Sequence, residues 1–429
     1  MKTTTLWVLK LSLCGIASLA LADEYGDYSE IDLEKVHQRI TTLSGSTPAQ
    51  WRITVKEDAS TSATVSWSTL EPEGEHVLYY GRKSTGGDLE RYDNKQECQR
   101  SGLYTGALLK DRKEKKSGLA SYHHAALSGL EPDTTYYLTM VSNGVASREF
   151  HFRTAPAKTE QLIFIHGGDS RSGITARSKV NYMIGQMVEQ NPKIWGFIHG
   201  GDYIVSGKSY SQWKAWLSQH ELTTTSQNRI IPMVVAKGNH DGGPLYGEVF
   251  DFIADGDKQV YYYNTTFGDL ASVITLDTNI SGTGAQEEFL KASLEKLRSE
   301  SKWLFTSYHR PLYPAVKNMP SQKKVFVPHF EKHNVDIALE ADGHNIKRTV
   351  PIRDDKKDPT GVVYVGEGGL GVGQRTPKTD RWYTDAKEGA FIGKGHHVML
   401  LTMDRDKLEI KTIMLTGDVV DTHVQKVRK

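Results

Sequence analysis

Three stretches of the sequence repeat one plan, in which a short apolar run stops at glycine and is followed by an acidic or amide residue. They read QLIFIHGGD at 161–169, IWGFIHGGD at 194–202 and IIPMVVAKGNHD at 230–241. Uninterrupted apolar runs of this length are typical of strands that are buried on both faces of a sheet. One amphipathic segment lies between the first two runs, at 179–191, and another follows the third run, at 286–300. Strands that alternate with helices predict a layered α/β domain.

The part of the chain before residue 157 has a different pattern. Runs such as WRITVKE (51–57), SATVSWSTL (62–70) and EHVLYYGRK (75–83) alternate apolar and polar residues and are rich in Val, Thr, Tyr and Trp. Several short strands with Gly, Pro and Asn between them indicate an antiparallel β-sandwich. The predicted domains are a lead-in segment at 23–47, an all-β sandwich at 48–156 and an α/β catalytic domain at 160–420.

Composition and the N-terminus limit the cellular setting and the class of partner. Residues 1–22 combine a lysine, an apolar stretch and a small-residue ending, as in a cleaved signal peptide. No later stretch is long and apolar enough for a membrane anchor. The formal net charge of +1 provides no general attraction for nucleic acid. With Cys98 as the one cysteine after the signal, we expect a periplasmic or secreted protein without an internal disulfide.

Polar residues at the ends of the predicted strands suggest a shared site. Ligands of parallel sheets lie at the carboxyl ends of the strands, and oxygen and imidazole donors together suit a divalent metal ion. A single histidine at a strand end is more often structural, but five coincident strand ends favour a hydrolytic metal site. The residues concerned are Asp169, Asp202, Asn239, His240, His309 and His344.

The motifs resemble those of the calcineurin-like metallophosphoesterases, and within them the purple acid phosphatases, over about residues 48–410. GGD at 200–202, GNHD at 238–241 and HRPLY at 309–313 match the catalytic motifs, and the first 100 residues of the match resemble a fibronectin type III-like domain. The resemblance implies an α-β-β-α four-layer catalytic domain and hydrolysis by metal-activated water. It also implies that His240 faces the substrate oxyanion and that Asp169, Asp202, Asn239, His309 and His344 bind metal.

Three positions depart from the family pattern. Val205 stands where the purple enzymes have a ferric-ion tyrosine, Arg171 where relatives have Asp-x-Gly or Asp-x-His, and Ile346 where a second histidine would follow His344. By the resemblance, all three changes affect the first metal, which would keep only Asp169 and the bridging Asp202. The second metal would keep Asp202, Asn239, His309 and His344. We therefore expect a one-metal site in which the guanidinium of Arg171 replaces the lost cation; the alternative is that Arg171 merely pairs with Asp169.

These observations predict a hydrolase of phosphate esters that uses one divalent ion from among Zn, Mn and Fe, with two ions as the alternative. His240, Arg171 and Asp169 are the candidate catalytic residues. One alternative is a sulfate ester hydrolase that acts on a sulfated carbohydrate. It would work without formylglycine because STPAQ (46–50) lacks the required arginine. Another is a catalytically impaired relative that only binds ligands. The substrate would be a small molecule or carbohydrate ester, and the sequence does not indicate an oligomeric state.

Overall fold

The computed structural model describes residues 25–105, 120–252 and 259–428. The predicted signal peptide at 1–22 lies outside the described residues. None of the described helices is long and apolar enough to cross a bilayer.

The N-terminal region forms the predicted sandwich of antiparallel strands, preceded by one short helix. Trp51, Val65 and Trp67 alternate with polar neighbours and are buried in its core. Their β-branched and aromatic character favours strands that pack in pairs. The elements are α1 (Leu33–His37), β1 (Ala49–Thr54), β2 (Ala63–Thr69), β3 (His76–Gly81), β4 (Asn94–Glu97), β5 (Arg100–Leu103), β6 (Ser121–Leu127), β7 (Thr135–Ser142), β8 (Val145–Ala146) and β9 (Phe150–Arg153).

The C-terminal region alternates strands and helices, as its apolar runs predict. The first half contains β10 (Gln161–Gly167), α2 (Ile174–Gln190), β11 (Ile194–His199), α3 (Tyr210–His220), β12 (Pro232–Val235), α4 (Leu245–Phe250), β13 (Tyr263–Phe267), β14 (Ala271–Thr275) and α5 (Ala285–Glu300). The second half contains β15 (Trp303–Ser307), α6 (Lys323–Lys332), β16 (Ile337–Glu340), β17 (Ile346–Arg348), β18 (Ile352–Arg353), β19 (Lys356–Lys357), β20 (Val363–Gly366), β21 (Phe391–Gly393), β22 (His397–Asp404), β23 (Lys407–Met414) and β24 (Val419–Lys426).

Two large sheets pack face to face in the C-terminal region. One has the order β24-β23-β22-β10-β11-β12-β1-β2-β6-β5, and the other has the order β13-β14-β15-β16-β20-β17-β21. Phe164 and Phe305, from β10 and β15, belong to the apolar core between them. Helices cover both outer faces: Trp213 of α3 packs on the first sheet, and Leu290 of α5 packs on the second. The predicted all-β sandwich followed by an α-β-β-α domain is therefore confirmed.

The two regions share a sheet and are not joined by a linker alone. Strand β1 pairs in parallel with β12, with Ile53 opposite Pro232 and Thr54 opposite Met233. On its other side β1 pairs with β2 of the sandwich. The first sheet of the catalytic region thus continues without a break into the N-terminal sandwich. The paired strands fix the sandwich against the edge of the catalytic sheet.

Candidate metal centre

Parallel strands of the two sheets deliver polar side chains to one common edge. Strands β10, β11 and β12 run parallel in the first sheet, and β15 and β16 run parallel in the second. Their carboxyl ends carry, in order, Asp169, Asp202, the pair Asn239–His240, His309, and the turn that contains His344. The backbone N–H of Asp342 donates to Oδ2 of Asp169 over 2.7 Å, and this bond joins the edges of the two sheets. The polar residues at these strand ends therefore lie together at one edge of the two sheets, as the sequence predicts.

Four buried residues at this edge lie within reach of a single cation. One ligand atom from each of Asp169, Asp202, Asp342 and His344 lies within 4.8 Å of all the others. All four also have left-handed backbones, with φ between 58° and 67°. A residue with a side chain pays about 1–2 kcal/mol for this conformation, and such strain concentrates at functional sites. The fold thus accepts unfavourable backbone geometry at each of these positions in order to aim the side chains inward.

The histidines of the centre direct their Nε2 atoms at carboxylates. The Nδ1–H of His309 donates to the carbonyl of Gly200 over 2.9 Å. Its Nε2 then lies 3.2 Å from Oδ1 of Asp202 and 3.5 Å from Oδ1 of Asp342. This Nε2, like Oδ1 of Asp169, is buried and makes no hydrogen bond with any described residue. Acceptors that face each other in a buried space require a cation or a proton between them.

The pKa values of His309, Asp169 and Asp342 also indicate that the buried carboxylates need a positive charge among them. Burial by itself lowers the pKa of His309, but the carboxylates of Asp202 and Asp342 raise it well above its usual value. Burial raises the pKa of Asp169. Burial would also raise the pKa of Asp342, but His309 and Lys317 lower it to about 2. The pocket stabilises positive charge at His309 and anionic carboxylates around it, which is the donor set of a divalent metal site with oxygen and nitrogen ligands.

The structure corrects the predicted place of His344. The sequence interpretation grouped it with Asn239 and His309 at the second metal and regarded Ile346 as the lost histidine of the first. In the structure, Nε2 of His344 lies 3.3 Å from Oδ1 of Asp169, on the first-metal side. Ile346 is a buried residue of β17 in the core between the sheets. The site pair is therefore Asp342-x-His344, two residues earlier than expected, and the histidine beside Asp169 is present.

Asp342 is the residue that the sequence interpretation missed. It stands beside His309, where His344 had been expected, and its side chain is paired with Lys317. A signal was available: Asp342 comes two residues after β16 ends, as Asp169 comes two residues after β10.

Arg171 lies inside the cluster and contacts Asp202, not Asp169. Its Nε donates to Oδ2 of Asp202 over 3.2 Å, and its Nη2 lies 3.4 Å from Nε2 of His344. Since Nδ1 of His344 faces the carbonyl of Gly373 at 3.3 Å, its Nε2 can accept the arginine proton. The alternative of a simple pair with Asp169 is therefore wrong. The guanidinium places one positive charge on the first-metal side of the centre.

His240 and its neighbour complete the second strand end. The Nδ1 of His240 lies 2.6 Å from the carbonyl of Val205, which fixes the ring, and its Nε2 lies 4.0 Å from Oδ2 of Asp202. The adjacent Asp241 is buried and accepts from the backbone N–H groups of Asp202, Tyr203 and Gly238. Asp241 therefore holds together the two turns that carry Asp202 and Asn239, a role that the sequence interpretation did not assign.

Asn239 and a glycine-rich turn enclose the remaining sides. Asn239 is half-buried and shares a cavity wall with Asp342. The turn at 366–373 packs on Asp169, whose carbonyl accepts from the N–H of Val372 over 3.1 Å. At Gly368, which has a φ of +86°, a Cβ atom would collide with Oδ2 of Asp169. The backbone itself thus forms the floor beneath this carboxylate.

Comparisons with known proteins agree with this geometry. Residues 48–154 match the family model of the purple acid phosphatase N-terminal domain, and residues 176–345 match that of the calcineurin-like phosphoesterases. The chain belongs to the calcineurin-like phosphoesterase superfamily. Its domain order is that of the purple acid phosphatases, and the class is one of metal-dependent phosphate ester hydrolases.

Individual relatives of this phosphoesterase are distant but extensive. Purple acid phosphatase 23 of Arabidopsis thaliana is 24% identical over 402 residues, which cover 79% of this chain and 83% of that protein. Purple acid phosphatase 1 of Ipomoea batatas is 25% identical over 392 residues, or 82% and 77% of the two chains. A purple acid phosphatase from seeds of yellow lupin, Lupinus luteus, has a TM-score of 0.73 at 19% identity and covers 88% of this chain and 74% of its own. The last comparison supports the fold.

Proposed function

We propose that this chain is an exported phosphate ester hydrolase with one divalent ion, Zn, Mn or Fe, and one arginine at its centre. The observation that carries the proposal is the position of Nε2 of His309, which faces the carboxylates of Asp202 and Asp342 at 3.2 and 3.5 Å. Asn239, on the adjoining wall, supplies a fourth donor. When bound there, the ion supplies Lewis-acid chemistry, acidifying water and offsetting the charge of the ester.

Charge supports a single ion. The cluster contains the carboxylates of Asp169, Asp202 and Asp342 and the cations of Arg171 and Lys317. This set is one negative charge in excess, so a single divalent ion leaves the centre at about +1. A second divalent ion would raise it to about +3 beside the guanidinium, with which it would compete for Asp202 and His344. A centre near +1 attracts an anionic ester and still releases the product.

The residues of the chain then divide the remaining tasks. Arg171 offers a planar guanidinium to the non-bridging oxygens of the ester, in a geometry suited to tetrahedral oxyanions. Asp169, whose Oδ1 has no described hydrogen-bond partner, orients the attacking water. In the imidazolium form, Nε2 of His240 carries the proton for the leaving alcohol, while Nδ1 remains held by Val205. His344 accepts from Arg171 through Nε2 and so helps to orient the guanidinium.

The export component rests on the sequence alone. Residues 1–22 have the character of a cleaved signal peptide. N-terminal sequencing of the protein recovered from the periplasm or medium should begin at Asp23. Recovery of the intact N-terminus from the cell interior would contradict export and leave the catalytic proposal untouched.

The catalytic proposal is tested by metal analysis and paired assays. We expect close to one divalent ion per chain, no visible charge-transfer band, and hydrolysis of an aryl phosphate in preference to the matched aryl sulfate. Two ions per chain, or a purple colour, would contradict the metal-plus-arginine centre. Preferential cleavage of the sulfate would change the substrate to a sulfate ester. Tight binding of the phosphate without turnover, at full metal occupancy, would identify a ligand-binding relative.

A further inference from the structure

A cavity of about 610 Å³ opens directly beside the metal centre. Asn239 and Asp342 belong to its wall, so a group bound at the centre has this space next to it. The volume lies in the usual range for small-molecule sites and greatly exceeds what a single phosphate needs. Pro311, Val316 and Met319 contribute apolar surface to the same wall. The cavity can therefore hold the alcohol part of an ester.

Arg310 projects into this cavity without an internal partner. It follows His309 directly, and its backbone N–H is held by Oγ1 of Thr278 over 2.9 Å, so the start of the side chain is well positioned. The side chain is exposed and makes no ion pair or hydrogen bond with any described residue. A guanidinium carries five N–H donors that cannot be deprotonated, so it seeks an acceptor outside the chain.

The other cations near the cavity are already engaged. Lys317 pairs with the carboxylate of Asp342. Arg375 donates to the carbonyl of Asp342 over 3.1 Å, and Arg381 donates to the carbonyl of Lys317 over 2.8 Å. These contacts position the turn that carries Asp342, whereas Arg310 contributes to no such contact within the described part of the chain. Its role is therefore not explained by the architecture of the centre.

The charge of the wall favours an anion. Among the residues lining the cavity, Arg310 and Lys317 are cationic, and Asp342 is the one carboxylate. That carboxylate is shared between Lys317 and His309 and is not available to Arg310. The cavity thus retains one unneutralised positive charge, in addition to the charge of the centre itself. A neutral alcohol would leave this charge unused.

We propose that Arg310 binds a second anionic group on the alcohol part of the substrate. The substrates would then be esters that also carry a phosphate, sulfate or carboxylate, and Arg310 would determine specificity without taking part in the chemical step. This inference rests on the proposed function, since it assumes that the first anionic group lies at the metal centre. Whether the second group is a phosphate, a sulfate or a carboxylate is a question that the test can separate.

The probes are meta- and para-substituted phenyl phosphates that carry either a carboxylate or the isosteric, neutral carboxamide. For the wild type we expect kcat/KM to be roughly 10-fold higher for the better carboxylate isomer than for its carboxamide, through KM and not kcat. In Arg310→Gln the two should become equal, whereas the carboxamide should keep its wild-type rate within about twofold. Arg310→Lys should restore part of the preference. The matched control is Arg91→Gln, at an exposed arginine of the N-terminal region, which should change nothing.

A binding measurement separates this inference from the proposed function. Calorimetry with the corresponding non-hydrolysable phosphonates, and with sulfate or phosphonate in place of the carboxylate, should show the same dependence on Arg310. If the phosphonates bind with that dependence but no ester is hydrolysed, the proposed function is wrong and the anion site stands. Equal affinity for carboxylate and carboxamide in the wild type, a preference that survives in Arg310→Gln, or no binding of either phosphonate would overturn the inference.

Discussion

Arg171 combines two contacts that a metal ion would otherwise make. Its guanidinium donates to Asp202 and reaches Nε2 of His344, and each of these atoms has the lone pair of a metal ligand. A guanidinium keeps its charge at any working pH, and it does not exchange with solvent as a weakly held ion does. The guanidinium of Arg171 is thus a cation that belongs to the chain itself. It is always present, but its N–H groups point in fixed directions, whereas a metal ion accepts ligands from several sides.

Replacement of this arginine should expose its contribution directly. Arg171→Ala should lose about 2–4 kcal/mol of transition-state stabilisation, the range for removal of one preorganised donor. Arg171→Lys should retain partial activity because it keeps the charge but loses the fork. The measurement is kcat/KM for an aryl phosphate at saturating metal, with metal content determined for each variant. Equal rates for the wild type and Arg171→Ala would mean that the arginine only supports Asp202.

His240 offers a second substitution at this scale. His240→Ala should reduce kcat by about 10²–10⁴-fold, since general acid catalysis typically contributes this much. Metal content should not change, because the ring nitrogen nearest the cluster lies 4.0 Å from Asp202. The loss should be smaller for an ester with a very acidic alcohol, which needs no proton to leave. Parallel loss of metal would show that His240 is a ligand and not an acid.

The turns at the carboxyl ends of the strands are the elements on which the centre depends. Those that carry Asp169, Asp202 and Asp342 each provide a left-handed residue. The 366–373 turn supports Asp169, and the side chain of Asp241 joins the turns of Asp202 and Asn239. Metal-binding side chains of this kind are only as well oriented as their supports. A substitution in a supporting turn should therefore affect metal affinity without touching a ligand.

Gly368 and Gly373 provide a matched pair for this idea. Gly368→Ala places a methyl group against Oδ2 of Asp169, the atom that accepts from the N–H of the proposed ligand Asp342, and forces an alanine into a φ of +86°. We therefore expect about 10–100-fold weaker metal binding. Gly373→Ala adds the same methyl group in open space at the end of the same turn and should bind metal normally. Competition with a chelator gives both affinities. Unchanged affinity in Gly368→Ala would show that the turn does not position Asp169.

The sequence allows the elements to be predicted better than the turns. The strands ending before Asp169, Asp202 and Asn239 could be predicted because buried parallel strands leave continuous apolar runs, a local signal. The direction of side chains in the turn at 341–346 could not, because it depends on left-handed backbones at Asp342 and His344 that tertiary contacts select. A shift of two residues places His344 beside Asp169 and Asp342 beside His309, where His344 had been expected. The role of Arg310 could not be predicted from the sequence either, because only the folded structure shows that its side chain has no partner among the described residues.

Across the two regions, many histidines are buried in the neutral form because burial disfavours the imidazolium. Burial lowers the pKa of His124 to about 3 and that of His220 to about 3, and it lowers the pKa of His166 to about 4. Unfolded histidine has a pKa near 6.5. The unfolded chain therefore takes up protons that the folded chain refuses once the pH falls below about 6.5. This stability is fully present above pH 6.5 and is lost progressively toward pH 4.

The consequence is a measurable loss of stability in mild acid. Each such histidine should lower the free energy of unfolding by about 1.4 kcal/mol per pH unit between 6.5 and its folded pKa. Glu221 and Asp241, whose pKa values burial raises to about 7, act in the opposite direction as the pH falls below 7, but they are fewer than the buried histidines. Urea unfolding at pH 7.5, 6.5 and 5.5 should show the decline. His220→Phe keeps the ring stacked on Trp216 and should reduce the slope; a stability that rises as the pH falls to 5.5 would contradict the argument.

The strand pair that joins the two regions also affects folding during synthesis, because one edge of β1 stays unpaired until β12 has been made. Strand β1 is synthesised early, and the sandwich can form around it, but its parallel partner β12 appears only after β10 and β11. At ordinary rates of translation the interval is on the order of 10 s. Throughout that time the N–H and C=O groups on one side of β1 have no strand partner, and they can pair with a strand of another chain. A chaperone that covers sheet edges should therefore bind ribosome-held chains that end before residue 232 and release chains long enough to bring residues 232–235 outside the ribosome.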